Sequence, residues 1–425
     1  MNATATDHFD ALEARPPQER ERAAMAALAV QVAHAQANTA AFAASLAGVD
    51  AARVDTRAAL ARLPVIRKHE LLERQRAADA PDVFGGYSAI GWGAAATPAR
   101  RALRVFASPG PIYEPEASGT DYWRMARALY AAGLRGGDLV HNTFSYHFTP
   151  AGAMMESGAF AIGCTVFPAG TGQTEQQVQA MAALRPAAYI GTPSFLKIIL
   201  ERAAGLGTAL PSLTKASVGG EAFTPSLRDW LAAHGVVAYQ SYGTADLGLI
   251  AYETSARQGL VLDEGVIVEI VRPGTGEPLP DGEVGEVVVT TLNPAYPLIR
   301  FGTGDLSAVL AGACPTGRTQ TRIKGWMGRA DQTAKVRGMF VHPAQVAEIA
   351  RRHPEVRKAR LVVSGAMADD RMALQVEVDG APEGLAMRLA DAVRDVTKLR
   401  GDVELCPVGS LPNDCKVIDD ARRYE

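Results

Sequence analysis

Small clusters of glycine, hydroxyl and carboxylate residues punctuate the second half of this 425-residue chain. Gly219, Gly220 and Glu221 follow a strand-like run and precede a helical one. Paired glycines either let a backbone lie close against a flat ring or turn a strand into a helix, and the carboxyl end of a strand is where open α/β sheets bind ligands. Tyr242, Gly243, Thr244, Ala245 and Asp246 put an aromatic face, a hydroxyl and a carboxylate side by side; alone, such a run is often a strand end with a capped turn. Asp305 sits between Gly304 and Leu306, close after an apolar Pro-Leu-Ile. An ionised carboxylate there is acceptor-only and can take two donors. Arg329 and Asp331 lie in the charged, glycine-flanked GRADQTAKVRG, the texture of a domain boundary. Lys416, in the tail LPNDCKVIDDARRYE, is a compact ammonium on a flexible stem or simply a solvated residue.

The elements that must carry these residues can be read from periodicity. The first hundred residues are rich in Ala and Arg and read as helical scaffold, notably from Arg20 to Leu46. From Val105 short apolar runs alternate with amphipathic ones, the first helix running from Asp121 as N-cap to Gly133. Strands are expected at Leu139 to Thr143, Thr165 to Phe167, Ala188 to Ile190, Lys215 to Val218 and Val236 to Gln240, giving a helix-covered sheet of doubly wound character. Beyond Gly259, VIVEIV and EVVVTTL bracket a Pro- and Gly-rich turn, which predicts a β-rich subdomain. The expected architecture is thus α/β: a large domain over 1–330 with helix-covered sheets and a β-rich subdomain, then a small mobile α/β domain over 331–425 that carries the tail lysine.

Four segments in order, GGEAFTPSLRDWL, QSYGTADLGLIAYE, YPLIRFGTGDLS and GWMGRADQTAKVRGMFVHP, resemble the phenylacetate–CoA ligase branch of the adenylate-forming superfamily, and the likeness runs from about Leu63 to the C-terminus. That resemblance implies ATP-dependent activation of a small, aromatic carboxylic acid to an acyl adenylate, followed by thioester formation with CoA. It makes Gly219, Gly220 and Glu221 the wall against adenine, with Tyr242 and Gly243 beside it. Thr244 supplies the α-phosphate hydroxyl, because Ala245 stands where the family has Ser or Thr. Asp246 holds Mg²⁺ in place of the usual Glu, Asp305 takes the ribose hydroxyls, Arg329 lies near the ribose, and Asp331 is the hinge. Lys416 swings in to the carboxylate and α-phosphate, with Cys415 where the family has Gly. Tyr146, His147 and Phe148 are candidates for the acid pocket.

The family's phosphate loop ends in Gly-Lys; here the matching stretch reads FASPGPIYEPEASGTDYW, with Ser108 and Gly110 but no lysine and with prolines that lack N–H donors. Glu114 and Glu116 would repel a triphosphate unless they help hold metal. The same residues admit two other readings. One is a nucleotide- or acyl-binding protein that has lost turnover; the other is an adenylating enzyme that passes its acyl group to an amine or a carrier protein.

Composition bounds the partners. Hydrophobic residues at 48% and charged ones at 21% describe a well-packed protein, and a net charge of -3 gives no basic field for nucleic acid or for a membrane surface. Four scattered cysteines without a CxxC pair fit a reducing cytosol, and the polar N-terminus lacks the apolar core of a signal peptide. Cys314 stands in a segment that binds zinc in some relatives through several cysteines; one cannot, so no structural zinc is expected. A homodimer is expected from the family.

Overall fold

The computed structural model describes residues 8–77, 79, 82–93, 97, 100–330, 332–365, 370–380, 383–412 and 416–422. They form two compact units, Met1–Gly328 and Arg329–Glu425.

In the first unit the strands Thr165–Pro168, Leu139–Asn142, Ala188–Gly191, Lys215–Val218 and Val237–Thr244 lie side by side in that order, all parallel. Parallel neighbours require crossovers, and the helices Ala151–Ile162, Thr174–Leu184, Pro193–Gly205 and Pro225–Ala233 supply them. Two of these helices start close after a strand end because Thr192 and Thr224 act as N-caps, each followed by a proline at the first helical position. After Thr244 the direction reverses. Gly248–Glu253 returns antiparallel, and Leu260–Leu262, Arg322–Ile323 and Val309–Leu310 complete a nine-stranded sheet.

A second sheet has the order Ile66–Arg67, Phe301–Ser307, Gly285–Thr291, Val266–Val271. Its last two strands are buried at every position. The strand carrying Asp305 therefore sits between a buried hairpin and a short strand from the N-terminal region. Arg300, placed just before it and 2% exposed, anchors the arrangement. Its Nε and one Nη2 bond reach Glu269 at 2.9 and 3.1 Å. The other donors reach the carbonyls of Ala61, Leu63 and Gly276 at 2.8, 2.5 and 2.6 Å. All five guanidinium donors are engaged, which is what a buried arginine requires.

The second unit has a sheet of order Asp402–Pro407, Arg371–Val378, Val356–Ser364, Ile418–Asp420, a hairpin Ala334–Val336 and Met339–Val341, and helices Pro343–Arg352 and Leu385–Thr397. Val346, Ile349, Leu389 and Val393 of the helices close its core over Leu361 and Leu374.

The mixed α/β architecture read from the sequence is the one observed, with three local differences. The long helix is two, Pro17–Asn38 and Ala40–Ser45, because Thr39 is extended and its hydroxyl accepts from Phe42 N at 3.4 Å. The helix expected from Asp121 begins at Ala126. Asp121 has a left-handed φ of 53° and instead accepts from the N–H groups of Met125 and Ala126 at 2.7 and 2.9 Å. Finally, Ile66–Arg67 in the supposed helical scaffold is a strand, paired parallel with Phe301 and Gly302.

Replacing Arg300 by Ala leaves Glu269 and three carbonyls buried without their donors. The variant should lose about 3–5 kcal/mol of unfolding free energy in a denaturant titration.

Candidate active site

The edge at which the first sheet changes from parallel to antiparallel is where the sequence motifs converge. Gly219 and Gly220 follow the strand Lys215–Val218, and the strand Val237–Thr244 runs alongside. A Cβ at Gly219 would lie 3.0 Å from Ser241 O, and one at Gly243 would lie 2.7 Å from Gly248 O. Both glycines are thus required by the approach of neighbouring backbone. Gly220 turns the chain at a φ of 78°. Glu221 accepts from Ser194 N at 2.7 Å, at the start of the helix Pro193–Gly205, so its carboxylate serves as a cap.

Tyr242 joins the two sheets. Its hydroxyl donates to Asp305 Oδ2 at 2.8 Å, while Trp326 Nε1 donates to Asp305 Oδ1 at 3.1 Å. The aspartate's own N–H donates to Thr303 Oγ1 at 3.1 Å. Both carboxylate oxygens are therefore fixed, and each keeps acceptor capacity for a further donor. Thr244 Oγ1 accepts from Leu247 N at 3.2 Å, which holds the turn and leaves the hydroxyl proton available.

Asp246 lies in that turn with its side chain fully enclosed, and Lys68 donates to Oδ2 at 3.1 Å. Among the described residues Oδ1 has no hydrogen-bond partner, and neither has the buried hydroxyl of Tyr296. Lys68 opens the helix Lys68–Arg76, directly after the strand that pairs beside Phe301. Sequence reading missed it because it stands in a stretch taken as scaffold. Its only local sign is the start of a helix with Glu70 accepting from Arg67 N at 2.9 Å.

The phosphate-loop region forms a hairpin, Ala102–Ser108 and Ile112–Ala117. Glu114 is fully buried and takes the Ser108 N–H at 3.2 Å and the Ser108 hydroxyl. Burial, with a smaller push from Asp246, raises its pKa to about 8 against the pull of Lys68. Glu116 is paired in a fork with Arg104 at 2.6 and 3.0 Å. The expected repulsion of a triphosphate by these two glutamates is corrected on that account: one carries a proton at neutral pH and the other is matched by an arginine.

The remaining candidates lie elsewhere. Tyr146 accepts from Asn142 Nδ2 at 2.8 Å and donates to Glu156 at 2.9 Å; burial, then Glu156, holds its phenol proton above the ordinary value. His147 is exposed, and Phe148 is 81% exposed, so neither is a core residue. In the second unit, Arg329 stacks over Phe340 at 5.8 Å and Lys416 pairs with Asp419 at 2.9 Å. Asp331 and Cys415 lie outside the described residues. Cys314 Sγ contacts Thr316 Oγ1 at 3.1 Å, and among the described residues no three His, Cys, Asp or Glu side chains are disposed to hold a metal. No helix among them is long and apolar enough to cross a membrane.

The glycine turns and Tyr242 lie at the carboxyl ends of the parallel strands, where open α/β sheets bind ligands, and Tyr242 brings the Asp305 carboxylate of the second sheet to them. Residues 118–295 match the model of the AMP-binding enzyme family. Over 76% of this chain the sequence is 33% identical to a phenylacetate-coenzyme A ligase of Thermus thermophilus, spanning 80% of that protein. The same shares hold at 30% identity for the phenylacetate-coenzyme A ligase of Escherichia coli. The fold is that of 2-hydroxyisobutyryl-CoA ligase, in a structure with its adenylate and CoA, at a TM-score of 0.82 and 23% identity over 100% of this chain and 94% of that one. The chain belongs to the phenylacetate–coenzyme A ligase family of adenylate-forming enzymes.

Glu114 titrates at about 8 when folded and at the ordinary carboxylate value when unfolded, so between these values the folded chain binds the extra proton. Stability falls as pH rises through that window. Glu114→Gln removes the term: relative to wild type, its thermal midpoint should gain steadily from about pH 5 to about pH 8 in scanning calorimetry.

Proposed function

We propose that the enzyme binds ATP in its first unit, activates a small aromatic carboxylic acid, and hands the acyl group to CoA. The acid's carboxylate oxygen attacks the α-phosphorus, and the bond to pyrophosphate breaks. The CoA sulfur, having lost its proton, then attacks the acyl carbon and AMP leaves. Family membership supports this sequence of steps, and the observation within the molecule that carries it is the Tyr242–Asp305 pair. In this reading Asp305 accepts from the ribose hydroxyls, its rotamer fixed by Tyr242 and Trp326.

In this reading Gly219 to Glu221, with Tyr242 and Gly243 beside them, form the wall against adenine. Thr244 donates its remaining proton to the α-phosphate. Lys68, on Asp246, supplies the cation that the loop around Ser108 lacks. The Asp246 Oδ1, buried and without a partner among the described residues, suits a cation, so Asp246 is the residue that would hold Mg²⁺. That ion would neutralise triphosphate charge. Arg329 near the ribose, Asp331 as hinge and Lys416 as the ammonium brought to the carboxylate complete the assignment, with Tyr146, His147 and Phe148 toward the acid. Free thiols at Cys164, Cys314 and Cys406 suit a cytoplasmic enzyme.

One observation favours a second reading, a binding protein without turnover: Glu114 has taken the Ser108 donors that a phosphate would use. Pyrophosphate release with ATP, Mg²⁺ and a panel of aryl, arylacetic and short aliphatic acids separates the two. Acid-dependent release is expected. Asp305→Ala should raise KM for ATP by about tenfold or more, the loss of a charge-assisted pair of hydrogen bonds. Lys416→Ala and Lys68→Ala should lower kcat for adenylation by about 10²-fold or more. Tight ATP binding with no release from any acid would leave the binding protein.

A further inference from the structure

The tail that carries Lys416 is held on both sides of the lysine. Before it, Leu411 N–H donates to Glu377 Oε1 at 2.7 Å, and Lys358 Nζ donates to the Pro412 carbonyl at 2.8 Å. After it, Val417 N–H donates to Gln332 Oε1 at 2.7 Å, and Ile418 N–H approaches the same oxygen at 3.4 Å. Leu361 N–H donates to the Val417 carbonyl at 2.9 Å. From there the strand Ile418–Asp420 runs parallel along Val356–Ser364 at the edge of the sheet, with Ile418 buried in the core of the unit.

The ammonium is held more lightly than the backbone. Lys416 Nζ pairs with Asp419 Oδ1 at 2.9 Å, three residues on, while Arg360 holds Oδ2 at 2.7 Å. The lysine side chain is 52% exposed, and an ion pair so open to water is weak. Lys416 thus combines a fixed backbone with a side chain that can leave its partner at little cost.

Gln332 joins that backbone to the beginning of the unit. Its φ of 55° is left-handed, a conformation that a residue with a side chain keeps only where its surroundings hold it. The next residue, Thr333, is buried with its Oγ1 hydrogen-bonded to His342 Nδ1 at 3.0 Å, and Ala334–Val336 then pairs with Met339–Val341. Beyond the tail strand, Arg422 Nη1 donates to the Lys335 carbonyl at 2.8 Å. The segments 332–335 and 417–422 are therefore tied at both ends. One tie is an amide oxygen one residue past the position proposed as the hinge, bonded to the N–H one residue past the lysine.

We infer that Gln332 is a positioning residue for adenylation, passing movement of the chain at Asp331 to the backbone of Lys416. The inference rests on reading Lys416 as the adenylating ammonium and Asp331 as the hinge. The strand begins only at Ile418, and Gln332 extends its hold one residue toward the lysine. That matters because a long flexible stem amplifies any slack in its own backbone, and a small misplacement of a charge costs rate rather than binding.

The experiment measures acid-dependent pyrophosphate release by the full-length enzyme and by Gln332→Met, Gln332→Asn and Gln332→Glu, with Gln332→Met also placed in the Lys416→Ala background. Gln332→Met keeps the length of the side chain and removes the acceptor. Its kcat should fall about tenfold, with KM for ATP and for the acid nearly unchanged. Gln332→Asn, which withdraws the amide by one carbon, should behave alike and answers the question if the methionine variant does not fold. Gln332→Glu keeps an acceptor at the same reach and should retain most of kcat. In the Lys416→Ala background Gln332→Met should change nothing further. Where Lys416→Ala is impaired, wild-type kcat in Gln332→Met and Gln332→Asn overturns the positioning role alone. An equal fall in both lysine backgrounds, or in the glutamate variant as well, overturns it too by making the defect merely structural. Full release by Lys416→Ala, or none by wild type, overturns the reading of the lysine and the positioning role with it.

Discussion

The first unit depends on one buried cation. Arg300 is placed in the interior, and its five donors collect Glu269 from one strand, Gly276 from the turn beyond it, and Ala61 and Leu63 from the N-terminal region. An unsatisfied guanidinium there would cost several kcal/mol, so these segments can only come together in one way. The neighbouring segments inherit that order. Phe301 and Gly302 find Ile66 and Arg67, Asp305 arrives opposite Tyr242, and Lys68 is delivered one residue past its strand to the side of Asp246. The carboxylate proposed for the ribose and the cation proposed for phosphate are thereby set by the same anchor.

A second principle runs through the site: like charges are managed by protonation or pairing rather than by distance. Three acidic residues, Glu114, Glu116 and Asp246, are buried around the hairpin and the turn. Arg104 neutralises one, Lys68 another, and desolvation keeps a proton on the third. A loop that would bind phosphate through free N–H groups has become a closed hairpin stabilised by its own carboxyl. Substrate charge must then be met by side chains reaching in from elsewhere.

Much of this was legible in the residues. Alternation of apolar runs with helices gave the parallel half of the large sheet, with strand positions such as Lys215–Val218 matching residue for residue, because each buried strand is short, apolar and bounded by turn formers. The four motifs gave the family. The features that stayed hidden were those set by distant partners. Nothing near Asp121 says that it bonds the N–H groups four and five residues on instead of opening a helix at once. Lys68 looks like any helical lysine until the pairing of Ile66 with Phe301 aims it. Glu114 reads as a hazard to phosphate, and only its burial, working against the Ser108 hydrogen bonds and Lys68, keeps a proton on it.

The indole of Trp326 is tied to the carboxylate that the ribose would use, yet the side chain is still partly open to water. Any nucleoside that claims Asp305 must alter the polarity around that ring. The chain has only four tryptophans, and Trp123, whose carbonyl accepts from Leu249 N at 3.0 Å, is buried. The molecule therefore carries a native optical reporter on the carboxylate proposed for the ribose, one that needs no label and would distinguish occupancy from turnover.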